Sequence, residues 1–287
     1  MKRAILIPTF KRYRPLAELT RMKIQQLWSD APKIYLSGVS TEGEPGWVPQ
    51  SGKEGSWGVD LLYSVQWLVN EGFEQLYLIL DDHPPVRLCG EIYLNETLPY
   101  FMEQSDATYI GLLGWGQGQG SMGTCLGDGH QGIEKTAGDY QYKFSLHPGL
   151  WHAPRLQKIL EVMLDEFPNE PTPWKFEKFS GSLKSLEALY LDKCYRIDGL
   201  SSSPRKWFSR TIRRQRILTK SRQGQLNTFG GAVRAYYEGP YPMIWSGVMH
   251  RGELNPAYLK YLNLFGQQSY VRELKNCLRD ICGVDLR

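Results

Sequence analysis

The chain has 287 residues, of which 41% are hydrophobic, 13% aromatic and 22% charged, so it can bury a large core and wholesale disorder is excluded. No stretch approaches the ~18 to 20 consecutive apolar residues of a membrane span. Five scattered cysteines without CxxC spacing argue against a zinc module or a disulfide scaffold and for a reducing compartment. The formal net charge of +4 hides an asymmetry: residues 199–237 hold nine Lys and Arg and no acid, which leaves 25 basic and 30 acidic residues elsewhere. A mildly acidic globule with one strongly basic segment points to an anionic partner for that segment, whether a diphosphate, a phospholipid surface or nucleic acid.

Met1-Lys2-Arg3 ahead of an apolar run looks superficially like a signal peptide, but residues 4–8 are too short a run and end in Pro, so they read as a buried strand. Residues 15–28 have helical spacing, with Leu16, Leu19, Ile24 and Leu27 inward and Pro15 suited to a first turn. Residues 33–38 form a second predicted strand, and residues 41–56, rich in Gly, Pro, Glu and Ser, a loop. A helix is predicted over 57–70, a strand over 76–80, a helix over 91–104 and a strand over 107–113. This β-α-β-α-β-α-β alternation implies an α/β fold with a mainly parallel sheet covered by helices on both faces.

Beyond it, the glycine-rich residues 114–132 lack the strand–GxGxxG–helix setting of a dinucleotide fingerprint and read as a mobile flap. A strand is expected over 142–146, helices over 154–167 and 182–194, and a closing helical region over 256–282. The expected division is a domain of residues 1–198 and a basic, helical extension of residues 199–287 that completes the active site or contacts a membrane.

The sharpest chemical feature is Asp81-Asp82-His83, directly after the apolar Tyr77-Leu78-Ile79-Leu80. In such sheets ligands bind beyond the carboxyl ends of the strands, where this trio falls. Carboxylates and an imidazole there can hold a divalent cation against a diphosphate; oxygen ligands suit Mg²⁺ and Mn²⁺, and a His nitrogen favours Mn²⁺. The plainer reading is that Asp81 caps a turn before Pro84-Pro85.

The opening Ile5-Leu6-Ile7-Pro8-Thr9-Phe10-Lys11-Arg12 resembles the first strand and nucleotide-contacting loop of GT-A-type glycosyltransferases, and Asp81-x-His83 resembles a DxH variant of their DxD site. Phe144-Ser145-Leu146-His147-Pro148-Gly149-Leu150-Trp151 and Pro173-Trp174-Lys175-Phe176-Glu177 resemble a motif pair of bacterial surface-polysaccharide glycosyltransferases, with His147 where Gln is usual. The resemblance covers roughly residues 4–180.

It implies transfer of a sugar from a UDP-, GDP- or dTDP-sugar to a glycan or lipid-linked acceptor, in the cytoplasm or on the inner face of the membrane. Pro8, Thr9, Arg12, Asp81, Asp82 and Arg251 would contact the donor. Asp81, His83 and His250 would ligate Mn²⁺ or Mg²⁺. His147, Trp151 and Trp174 would line the acceptor site. Glu177, held by the stiff Pro171-Thr172-Pro173 lead-in in an apolar surround, would be the general base of an inverting transfer. Each has a structural alternative: Glu177 as an acid at a helix start, His250 as a surface or core residue, Trp151 as core.

Basic and aromatic residues interleave over 205–222, which suits an anionic membrane surface; a solvated loop is the alternative, and nucleic acid is not expected. Two other classes remain. A nucleotidyltransferase would carry a glycine-rich phosphate loop after the first strand, where Thr9-Phe10-Lys11-Arg12 has no glycine. A nucleic-acid binder would use the basic segment alone, with binding that falls steeply with salt.

Overall fold

Ala4 and Leu6 are buried on one side of the first strand, Ile5 and Ile7 on the other. Leu76 and Leu78 alternate in the same way with Tyr77 and Ile79. Burial on both faces is what a central strand with helices above and below requires. The computed structural model describes residues 1–38, 45–49, 56–112, 133–136, 143–167, 172–179, 190–197, 236–237, 240–244, 247–250, 253–255, 258–259, 262–263 and 267–282. The predicted flap and the basic segment 205–222 lie outside them.

Among the described residues, seven strands form one sheet in the order β2-β1-β3-β6-β4-β7-β5. These are β1 (Arg3–Pro8), β2 (Lys33–Ser37), β3 (Gln75–Leu78), β4 (Tyr109–Gly111), β5 (Ile133–Lys135), β6 (Gly149–His152) and β7 (Cys194–Ile197). β1 pairs in parallel with β2 and β3, and β4 with β7. β6 runs antiparallel between β3 and β4, and β5 antiparallel to β7. Five strands thus share one direction, and the protein is α/β with a mainly parallel sheet flanked by helices.

The helices follow local rules. α1 (Arg14–Leu27), α3 (Leu98–Gln104) and α4 (Ala153–Glu166) each carry Pro in the first turn, where a missing N–H leaves no bond unmade. α2 (Trp57–Asn70) is closed by Gly72 at φ +81°, with the Phe73 N–H donating to the Leu68 carbonyl at 3.0 Å. α2 and α4 cover one face through Leu61, Val65, Leu68, Leu156, Ile159 and Leu160. Ala17 and Ile24 of α1 and Trp28 just past its end, with Leu98, Phe101 and Met102 of α3, cover the other. Each buried Leu, Ile, Val, Phe or Met among them contributes about 1.5 to 3 kcal/mol relative to exposure.

The closing helix, α6 (Gln268–Cys282), packs on α1, where Leu16 and Leu19 meet Tyr270, Val271, Leu274 and Leu278. The buried ammonium of Lys23 pairs with Glu273 and lies 4.4 Å from the Tyr270 ring centroid. Among the described residues, no helix is long and apolar enough to cross a membrane.

Several expectations are corrected. The described part of 142–146 is not a strand; the strand begins at Gly149, beyond Pro148, which has no N–H for a ladder. The helix predicted to end at Cys194 gives way to a 3-10 turn, Leu191–Lys193, after which Cys194 opens β7. β5 was not foreseen. The helical run of 91–104 holds but contains a π turn at Tyr93–Thr97.

Candidate active site

The parallel strands deliver their carboxyl ends to one edge of the sheet, and antiparallel β6 begins there. Leu78 of β3 pairs with Gly149 of β6. The segment after β3, with Asp81 to His83, therefore abuts the segment before β6, with Ser145 to Pro148. Thr9 follows β1 and Leu112 follows β4 at the same edge, and the Leu112 N–H donates to the Pro148 carbonyl at 2.9 Å.

On the β1 side, the Thr9 N–H donates to the Ser37 carbonyl at 3.0 Å. Gly38 has φ +128°, and a Cβ there would stand 2.4 Å from the Thr9 carbonyl oxygen, so only glycine lets the two loops close. Thr9 Oγ1 donates to Asp81 Oδ2 at 2.7 Å, and Thr20 Oγ1 donates to the Asp81 carbonyl at 2.5 Å. Desolvation, and then the negative charge of Asp82, hold the Asp81 carboxyl well above the usual carboxylate range; the Thr9 hydrogen bond pulls the other way. Pro8 is buried at the end of β1. Arg12 is exposed, with its guanidinium 5.7 Å from the Tyr13 ring centroid.

Asp82 Oδ1 lies 2.6 Å from His83 Nδ1, and His83 is buried. The chain beyond is held by residues far along the sequence. The Val248 N–H donates to the Asp82 carbonyl at 2.8 Å, Tyr241 Oη to the His83 carbonyl at 2.9 Å and Gln267 Nε2 to the Val86 carbonyl at 3.0 Å. The Val86 and Gly90 N–H groups donate in return to the Pro242 and Pro240 carbonyls, both at 2.8 Å. The described C-terminal residues therefore brace the site rather than standing apart from it.

On the β6 side, Ser145 Oγ donates to Glu177 Oε1 at 2.6 Å and lies 2.5 Å from His147 Nδ1. The Leu146 N–H donates to the same Glu177 oxygen at 2.5 Å. Glu177 comes from α5 (Pro173–Phe179), whose Phe176 is buried with ring centroids 4.8 Å from Phe144 and 5.8 Å from Trp57. The carboxylate thus meets polar donors, not the apolar surround expected for it. The His147 and His83 rings meet edge-on at 5.3 Å, joining the two halves of the site. Tyr109 stands behind: its hydroxyl is buried and desolvation keeps it protonated, and its ring centroid is 6.3 Å from that of Phe144, next to Ser145.

Thr9, Asp81, Asp82, His83, His147 and Glu177 are therefore neighbours along one edge. Trp151 is not among them. It is fully buried, 4.5 Å from Tyr109 and 5.1 Å from Phe144 between ring centroids, so it packs the core and presents no face to an acceptor. The backbone of Trp174 lies in α5 and that of His250 in β8 (Met249–His250), paired with β9 (Glu253–Leu254). Both side chains, and all of Arg251, lie outside the described residues. Sequence reading missed Ser145, Thr20, Tyr109, Tyr241 and Gly247; only Ser145 lay within a motif that could have drawn attention to it.

Among the described residues, no three His, Cys, Asp or Glu side chains group as a metal shell. Asp81 and His83 alone offer two ligands, which is compatible only with a cation that shares its coordination with a ligand's phosphates and water.

The class defined here is an α/β protein with a polar cluster at the carboxyl edge of a mainly parallel sheet. No family model matches the sequence, and no curated protein matches it. Among solved structures, it is similar to a glycosyltransferase involved in the glycosylation of the major capsid of PBCV-1, at 13% identity and a TM-score of 0.33, over 64% of this chain and 76% of that one. It is also similar to TarS of S. aureus, at 11% identity and a TM-score of 0.35, over 73% of this chain and 38% of TarS. Likenesses this remote assign no family.

Proposed function

We propose that the chain is a GT-A-type glycosyltransferase that moves a sugar from a UDP-, GDP- or dTDP-sugar to a glycan or lipid-linked acceptor of a surface polysaccharide, with inversion. The observation that carries the reading is convergence: Thr9, Asp81 to His83, His147 and Glu177, spread over some 170 residues of sequence, form one connected cluster beyond the strand ends. These are among the residues that the sequence resemblance singles out for donor, metal, acceptor and base. Binding beyond strand ends is the general rule for such sheets.

In this reading the acceptor oxygen bonds to the anomeric carbon while the bond from that carbon to the diphosphate breaks. The electron pair leaves with the nucleoside diphosphate, and the hydroxyl proton goes to the hydrogen-bonded group of Ser145, His147 and Glu177. Asp81 and His83 would hold a divalent cation, which neutralises charge on the leaving diphosphate. Arg251 and His250 are proposed to complete the donor side and the metal shell, Trp174 the acceptor side, and residues 205–222 a contact with an anionic membrane surface.

The test is a melting panel of UDP, GDP, dTDP and their sugars, with and without Mn²⁺. One nucleotide family is expected to stabilise the protein in a Mn²⁺-dependent way, by about 2.7 kcal/mol at ~100-fold excess over its dissociation constant. Asp81→Ala is expected to lose the shift. A panel in which nothing moves the melt overturns the reading.

A further inference from the structure

Ser145 sits between two groups that compete for its one hydrogen. Its Oγ is 2.6 Å from Glu177 Oε1 and 2.5 Å from His147 Nδ1, and it also accepts the His147 backbone N–H at 3.2 Å. A carboxylate only accepts, so the serine hydrogen goes to Glu177. His147 Nδ1 then faces the oxygen's lone pairs and must itself carry a hydrogen. In a neutral imidazole this leaves Nε2 as the accepting nitrogen.

The arrangement is built to stay in place. Glu177 Oε1 is pinned a second time by the Leu146 N–H. Phe144, next to Ser145, is buried with its ring centroid 6.3 Å from that of Tyr109. The Tyr109 ring in turn lies where Gly111 and Gly149 lack side chains: a Cβ at Gly111 would stand 2.8 Å from its hydroxyl oxygen, and one at Gly149 2.4 Å from its Cε2. A bulkier residue at either position would displace the ring that packs against Phe144, beside Ser145.

We propose that Glu177 and Ser145 form a relay that fixes His147 as its Nδ1–H tautomer, so that His147 Nε2, rather than the Glu177 carboxylate, accepts the hydrogen bond of the incoming acceptor hydroxyl. Glu177 and Ser145 are then positioning residues. The tautomer follows from hydrogen-bond geometry alone, while the role of Nε2 rests on the sugar-transfer reading.

Two measurements on the full chain decide it. The first is long-range ¹H–¹⁵N correlation of ¹⁵N-histidine protein at alkaline pH, where imidazoles are neutral. With five histidines in the chain, His147→Gln assigns the signal. The wild type is expected to show the Nδ1–H pattern, Glu177→Gln to keep it because the amide oxygen still accepts from Ser145, and Ser145→Ala to lose it. An Nε2–H pattern in the wild type overturns the proposal.

The second is release of nucleoside diphosphate from UDP-, GDP- and dTDP-sugars with Mn²⁺, water serving as acceptor. His147→Ala, Ser145→Ala and Glu177→Ala are expected to lower turnover on the order of 10- to 100-fold with donor KM unchanged, and Glu177→Gln to restore most of it. If Glu177→Gln is as inactive as Glu177→Ala while still folded and binding donor, the carboxylate itself meets the acceptor and the proposal fails. If no donor binds or turns over, the sugar-transfer reading fails instead, and the tautomer alone decides the relay.

Discussion

Gly247 lies so close to Asp82 that a Cβ on it would stand 2.4 Å from the carboxylate oxygen Oδ2. Its φ of +66° belongs to the left-handed region, which glycine enters without strain. Gly247→Ala is therefore expected to strain the backbone and to push Asp82 away from His83, at a cost of about 1 to 3 kcal/mol. Urea unfolding reads the stability loss, and a melt with nucleotide-sugar and Mn²⁺ reads the weakened site. A variant as stable and as responsive as wild type would show that the contact has no consequence.

Gly149 and Tyr109 form a second fit of this kind. Gly149→Ala is expected to destabilise by about 1 to 3 kcal/mol, because the displaced ring is fully enclosed. Replacing Tyr109 by Leu makes room. The double variant is expected to lose less than the sum of the two single losses, as contacting residues do in a double-mutant cycle. Strict additivity would mean that the alanine is accommodated elsewhere.

Tyr241→Phe removes the hydroxyl that donates to the His83 carbonyl, and with it a buried hydrogen bond. A loss of about 1 to 3 kcal/mol is expected, with weaker stabilisation by any donor that binds at Asp81 to His83. Equal donor-induced shifts in variant and wild type would separate fold stability from site geometry.

Asp106 gives a pH-dependent term. The hydrogen bond from Lys193 first, and those from Arg155 next, hold its carboxyl below the ordinary range. A lowered folded pKa stabilises above the unfolded value and fades as pH falls through the folded one. The side chain is 57% exposed, so solvent screens these pairs to about 0.2 to 1 kcal/mol each. Asp106→Asn keeps a residue that tolerates the observed φ of +50°. It is expected to be less stable than wild type at neutral pH, with the gap narrowing as the pH falls below the ordinary carboxylate range, as read by urea unfolding across that range.

The first half of the fold was legible because its signals are local. The buried runs of β1 and β3 and the periodic faces of α1 and α2 announce themselves within a dozen residues. β6 did not, because Pro148-Gly149 reads as a turn; glycine is there to clear the Tyr109 ring, 40 residues earlier in the chain. β5 and β7 are three and four residues long, and their pairing is fixed across the sheet rather than within the segment. In the site, Asp81 to His83, His147 and Glu177 could be named from motifs. Ser145 lies inside one of those motifs, but its role is not visible there, since it depends on a carboxylate 32 residues away. Trp151 misled because an aromatic beside a motif looks available until its neighbours are known.

The turn after β3 takes donors at His83, Pro84 and Val86 from residues 158, 174 and 181 positions farther along the chain. During synthesis the sheet strands emerge well before these partners. A chain cut short before residue 240 would therefore carry Asp82 and His83 on a turn stripped of these donors.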